Sequence, residues 1–147
     1  MSLNDTLMQD MKTAMKEHDK EALTTIRSIK AALMNYKIKV NRDLTDKDEL
    51  DVLSTAMKQR KESLEEFTKA KREDLINQTK NEMKILEKYM PKQMSLEELE
   101  ATVDKTIQET GATSKKDFGK VMQALIPKIK GKADGKEASN IVGKKLN

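Results

Sequence analysis

Along most of this chain apolar residues return at intervals of three and four positions, and no stretch of length alternates apolar and polar at every second one. The first pattern stripes one face of an α-helix; the second is what a half-buried strand requires. From Ala22 through Ile26, Ile29, Leu33, Tyr36 and Val40 the intervals alternate strictly between four and three, so this segment buries its apolar side chains only as a helix. The periodicity predicts an all-α protein. Charged residues make up 37% of the chain, a composition that on its own suits disorder; the sustained stripes argue against it. With no Trp and 3% aromatics, core volume must come from Leu, Ile, Ala and ten Met. Met8, Met11, Met15, Met57, Met83 and Met122 fall on the stripes and are expected in the core, because flexible Met fills irregular gaps.

Stop and start signals divide the stripes. A first helix is expected over roughly 2–17, and Asp19 can cap a second that runs to the polar break Asn41-Arg42-Asp43. Thr45 with Asp48 resembles a capping box opening a third helix, with Leu50, Leu53, Met57, Leu64 and Phe67 as its stripe. A fourth starts near Arg72 to Asp74 and runs through Tyr89 and Met90 to a stop at Pro91. Beyond the Pro91-Lys92-Gln93-Met94 boundary, Ser95 with Glu98 forms a further capping box, before Leu96, Leu99, Val103 and Ile107, and Gly111 suits the left-handed position after that helix. Ser114 caps the next, with Phe118, Val121, Met122, Leu125 and Ile126 inward and Pro127 ending or kinking it. Asp134-Gly135 precedes the last, with Ala138, Ile141, Val142 and Leu146. The expected architecture is an N-terminal helical domain of about four helices over 1–90 and a small three-helix domain over 91–147. The second is near the lower size for an independent core.

No run of ~18 apolar residues is present, so no membrane span is expected. The start, MSLNDTLMQDMK, lacks the apolar core of a signal peptide. The chain has no Cys, which removes disulfides, thiolate metal sites and thiol nucleophiles. Together these favour a cytoplasmic location.

Catalytic equipment is sparse. No GxxxxGKS/T loop is present, and the glycines of KGKADGK follow no strand pattern. His18, the one histidine, falls at a helix end with no second His or Cys beside it, so an exposed structural residue is expected rather than a general base. The carboxylates Asp46, Asp48, Glu49, Asp51, Glu65 and Glu66 read as solvated helix faces, or as partners of Lys one turn away such as Glu62 with Lys58, before they read as metal ligands or an acid–base pair. Arg60 interrupts an apolar stripe and Arg27 lies beside one; a partly buried guanidinium usually pairs with an acid of a neighbouring helix. No catalytic residue, metal ligand or cofactor is expected.

Charge carries the strongest functional signal. Residues 111–147 hold nine lysines (Lys115, Lys116, Lys120, Lys128, Lys130, Lys132, Lys136, Lys144 and Lys145) against three acids, a net of +6, while the preceding 110 residues net −2. Such a block suits a polyanion partner. Lys128, Lys130, Lys132 and Lys136 flank a turn that leads into a helix N-terminus, where lysines and free backbone N–H groups together offer phosphate contacts. Aromatic residues for base stacking are lacking apart from Phe118, which is expected to be core, so recognition would be of RNA shape and backbone, with no DNA specificity.

Two strings, EKYMPKQMSLEEL and ETGATSKKDFGKVMQALIPKIKGKADGKEASNIVGKKL, resemble the GatB/YqeY family, and TTIRSIKAALMNYKI resembles its stand-alone YqeY branch. The resemblance implies an all-helical fold whose C-terminal part is similar to the tail of the GatB subunit of glutamine-dependent tRNA amidotransferases, a tail that helps hold tRNA. The kinase-like cradle and amidase parts of that enzyme are not found here. A carbon–nitrogen ligase label follows by descent without self-contained chemistry. The reading is a non-catalytic accessory that binds tRNA or another structured RNA through the nine lysines; the alternative is a module that binds a protein through its N-terminal helices.

Overall fold

A computed structural model describes residues 2–146, which form seven α-helices and one short 3-10 turn, with no strand among them. The helices are α1 (Leu3–Lys16), α2 (Lys20–Val40), α3 (Asp46–Lys69), α4 (Glu73–Glu87), α5 (Leu96–Thr110), α6 (Phe118–Ile129) and α7 (Gly135–Lys145). Most begin where a side-chain oxygen accepts one of the N–H groups that a helix start leaves unpaired. Asp19 Oδ1 accepts from Ala22 N at 3.1 Å. Thr45 and Asp48 form a reciprocal capping box, as do Ser2 and Asp5. At α5 only the serine half of the expected box forms, with Ser95 Oγ accepting from Glu98 N at 3.1 Å.

Three helix ends share one closure. After α1 His18 N donates to Met15 O and Asp19 N to Ala14 O; after α3 Lys71 N donates to Thr68 O and Arg72 N to Phe67 O; after α5 Gly111 N donates to Gln108 O and Ala112 N to Ile107 O. This is the Schellman pattern, which puts the residue that closes the helix in the left-handed region. Gly111 is there at φ 67°, and so, without glycine's freedom, are His18 and Lys71 at φ 56°. Two ends depart from expectation. The fourth helix stops at Glu87, and Lys88 to Met90 turn by i→i+3 bonds before Pro91 is reached. Ser114 does not cap α6 directly but precedes the 3-10 turn Lys115–Asp117, and α6 continues two residues past Pro127.

The chain forms two compact units, residues 1–90 and 91–147. In the first, α1 and α4 lie along α2, and α3 lies along α4. Leu7, Ile26, Ile29, Leu33, Val52, Leu53, Ala56, Met57, Ile85 and Leu86 form its core. Tyr89 donates its hydroxyl to Asp10 Oδ2 at 2.5 Å, which fastens the turn after α4 to α1; burial first, then the Asp10 carboxylate, pushes the Tyr89 phenol well above its usual range. Met8 and Met15, expected inside, are exposed, because α1 meets the unit along Leu3, Leu7, Met11 and Ala14. Arg60 pairs with no acid: its guanidinium donates to Ala56 O one turn back and reaches the Ser28 hydroxyl. The helical pair Glu62–Lys58 does not form either.

In the second unit α5, α6 and α7 pack each on the other two, around Leu99, Val103, Val121, Leu125, Ile129, Ala138, Val142 and Leu146. The inward face of α6 is Val121, Leu125 and Ile129. Phe118 and Ile126, expected on that face, are 37% and 48% exposed, and Leu96 is 56% exposed at the start of α5.

Candidate nucleic-acid interface

The basic turn between α6 and α7 is built by the segment that precedes α5. Gly131 takes φ 75°, a conformation for which glycine is the natural residue. Its carbonyl accepts from Gln93 Nε2 at 2.7 Å, and Gln93 Nε2 also reaches Pro91 O at 3.1 Å. One residue on, Met94 N donates to Lys132 O at 2.8 Å. The PKQM string, read from sequence as a boundary, is thus a clip that holds KGKADGK in shape. Neither string signals this alone; the clue available in sequence was that both belong to the same family resemblance.

The nine lysines do not form one equivalent set. Lys115, Lys116, Lys120, Lys132 and Lys136 are exposed and make no ion pair among the described residues. Lys128 is half-buried and points at α5, donating to Glu109 Oε2 at 2.6 Å and Thr106 Oγ1 at 3.1 Å. Lys145 likewise meets Asp104 Oδ1 of α5 at 2.7 Å. The hydrogen bond from Lys128 holds the Glu109 carboxyl below its usual range. Lys130 closes α6, half-buried, and Lys144 lies on the exposed side of α7. Acids missed by counting along the chain lie on α5: across 91–147 there are eleven basic and eight acidic residues, a net of only +3.

The helix N-terminus behind the turn is also occupied. Asp134 Oδ1 accepts from Lys136 N at 3.0 Å, so α7 is capped by its own carboxylate rather than open to a phosphate. The charge that this edge presents is therefore that of its lysine side chains.

Along α7 an open groove of about 620 Å³ is lined by Lys115, Phe118, Ser139, Asn140, Gly143 and Lys144. Phe118 is the first residue of α6, directly after the 3-10 turn Lys115–Asp117.

Two of the remaining sequence candidates, His18 and Asp48, hold structural posts. His18 occupies the left-handed position after α1. Asp48 is bound by Arg42 Nη1 at 2.5 Å and Thr45 N at 2.9 Å; the Arg42 hydrogen bond first, then that of Thr45, hold it well below the carboxylate range. No three His, Cys, Asp or Glu side chains gather as a cation site among the described residues, and no helix is long and apolar enough to cross a membrane.

The sequence profile of the Yqey-like proteins matches residues 4–146, which takes in both the clip and the turn that it holds. The chain belongs to that family. Among its relatives is "Altered inheritance of mitochondria protein 41, mitochondrial" of Kluyveromyces lactis, 37% identical over 129 residues that cover 82% of this chain and 70% of the relative. The protein of the same name from Pyrenophora tritici-repentis is 32% identical, covering 86% and 71%, and that from Eremothecium gossypii 36%, covering 73% and 60%. These names overturn the cytoplasmic expectation, since they point to mitochondria. The expectation rested on missing Cys, signal and span, features that do not separate one aqueous compartment from another.

Proposed function

We propose that this Yqey-like protein is a non-catalytic RNA-binding accessory whose partner is tRNA or an RNA of similar structure. The observation that supports it is the group of exposed, unpaired lysines of the second unit, Lys132 and Lys136 above all, on a turn fixed by Gln93 and Met94. A clipped turn carries its charges in a defined place, which suits a phosphate backbone of fixed shape better than it serves solubility. The resemblance to the amidotransferase tail agrees with this reading and lends it tRNA as the first RNA to try. A link to amide transfer needs a separate amidase and an ATP site. The test is a gel-shift titration of the full chain with tRNA against heparin. Tighter binding of tRNA, weakening steeply with salt, is expected. Equal affinity for both polyanions would reject the reading.

A second reading, a protein partner on the N-terminal helices, has one observation in its favour. Met34 and Ile38, one turn apart on α2, are 59% and 69% exposed beside an open groove with Lys37, Asn41 and Arg42. A pull-down that is insensitive to salt and lost on Met34→Asp/Ile38→Asp would favour it over RNA.

A further inference from the structure

The groove between the start of α6 and the end of α7 combines three features that the fold itself does not require. The first is Phe118, one of two phenylalanines in a chain poor in aromatics, a residue 37% exposed. The second is Gly143. Unlike Gly111 and Gly131 it has no positive φ, and a Cβ built there meets nothing within 4 Å. Neither backbone geometry nor packing calls for glycine, which is a poor helix former; its absent side chain leaves the groove wall open. The third is polar chemistry at the rim. Among the described residues Lys115 is exposed and without an ion pair, and the Asn140 carboxamide is exposed and makes no hydrogen bond.

An aromatic face, a cation and a free amide in a space of about 620 Å³ match the parts of one nucleotide: base, phosphate and base edge. The volume lies within the ~300–1,000 Å³ of small-ligand sites. An apolar helix docking here would leave the lysine and amide facing apolar atoms, and a simple anion would not use the ring. We infer that this groove is a stacking site for an unpaired nucleobase of RNA, with Phe118 as the platform, Lys115 on the adjoining phosphate and Asn140 on the base edge. The inference rests on the RNA reading above and extends it from backbone contact to a preference for RNA with bases outside a duplex, since paired bases keep their faces stacked inside the helix.

The experiment compares the full chain with Phe118→Ala, Phe118→Trp, Gly143→Leu and Lys132→Ala/Lys136→Ala. The probes are an adenine-rich single-stranded RNA carrying one 2-aminopurine, a blunt RNA duplex, and tRNA. Phe118→Ala is expected to weaken single-strand binding roughly 5- to 100-fold and to abolish the 2-aminopurine quench, while leaving duplex binding and the salt slope unchanged. Phe118→Trp keeps the quench. Gly143→Leu fills the groove and loses the single-strand preference with a melting temperature no lower than wild type, because Leu favours the helix and its Cβ meets nothing within 4 Å. Single-strand binding that is untouched in both Phe118→Ala and Gly143→Leu, while the lysine variant still loses tRNA, would overturn the stacking site and leave the RNA reading standing. Failure of wild type to bind any of the three RNAs would overturn both, and would leave the Phe118–Ile126 face as a contact for protein.

Discussion

The division of the lysines into paired and unpaired sets makes a quantitative demand on RNA binding. Each lysine that neutralises a phosphate displaces a counterion, and the logarithm of affinity then falls by about 0.9 per contact for each tenfold rise in salt on a duplex, or about 0.7 on a single strand. Lys132 and Lys136 are exposed, unpaired and carried on the clipped turn. Replacing both by Ala removes two contacts, so the slope should drop by roughly 1.8 on a structured RNA; across a fourfold change in salt, the variant's loss of affinity is then about tenfold smaller than that of wild type. Lys128 and Lys145 are already bound to Glu109 and Asp104 of α5 at 2.6 and 2.7 Å. Replacing these two removes the same formal charge but no phosphate contact, and the slope should change by less than about 0.5. Fluorescence anisotropy of labelled tRNA, titrated with each variant at four or more potassium chloride concentrations, measures both slopes. A larger slope change for Lys128→Ala/Lys145→Ala than for Lys132→Ala/Lys136→Ala would refute the partition, and with it the inference that α5 withdraws these lysines from the interface.

Three further outcomes follow from local geometry. The shared closure of α1, α3 and α5 predicts opposite signs for glycine exchange: Gly111→Ala should cost about 1 kcal/mol, while His18→Gly and Lys71→Gly should each gain up to about 1 kcal/mol, read as shifts in urea midpoint at constant slope. Asp48 has a depressed carboxyl pKa, so its stabilisation is present above the unfolded value of ~3.9 and fades as pH falls through the folded one; Asp48→Asn should be less stable than wild type at neutral pH, and the gap should begin to narrow below about pH 4 and keep narrowing as the acid melt proceeds. Gln93→Ala loses the bond to Gly131 O and should cost about 1 kcal/mol, with amide exchange at residues 131–134 rising while the α5 core amides stay protected.

The elements were readable because their signals are local. Asp19, Thr45 and Asp134 each announce a helix start within three residues, and each accepts the N–H that its position requires. Which side of a stripe faces inward is not local. In a unit of three helices each element has only two neighbours, and α6 meets them along Val121, Leu125 and Ile129; Ile126, about 100° round the helix from Leu125, and Phe118, the first residue of α6, read as the same stripe in sequence but are exposed. The same holds for charge. The block from 111 onward reads as +6 because α5, which precedes it, was counted elsewhere, although Glu109 and Asp104 end up against Lys128 and Lys145. Gln93 was read as part of a boundary because its partner is 38 residues away.

These corrections act together on how the second unit can hold an RNA. A net charge of +3 over 57 residues gives little long-range attraction, and exposed charges separated by more than ~8 Å are largely screened at physiological salt. The α7 N-terminus adds none, since Asp134 already fills it. For an RNA partner, affinity would then come from contacts at short range: the clipped turn before α7 for phosphates, and the Phe118 groove along α7 for an exposed base. A partner that satisfies both presents a rigid backbone and an unstacked base within the span of one 11-residue helix, about 16 Å long. A uniform duplex offers only the first, and a flexible single strand only the second. Folded RNA with a looped-out base offers both, which is why tRNA is a better first probe than either.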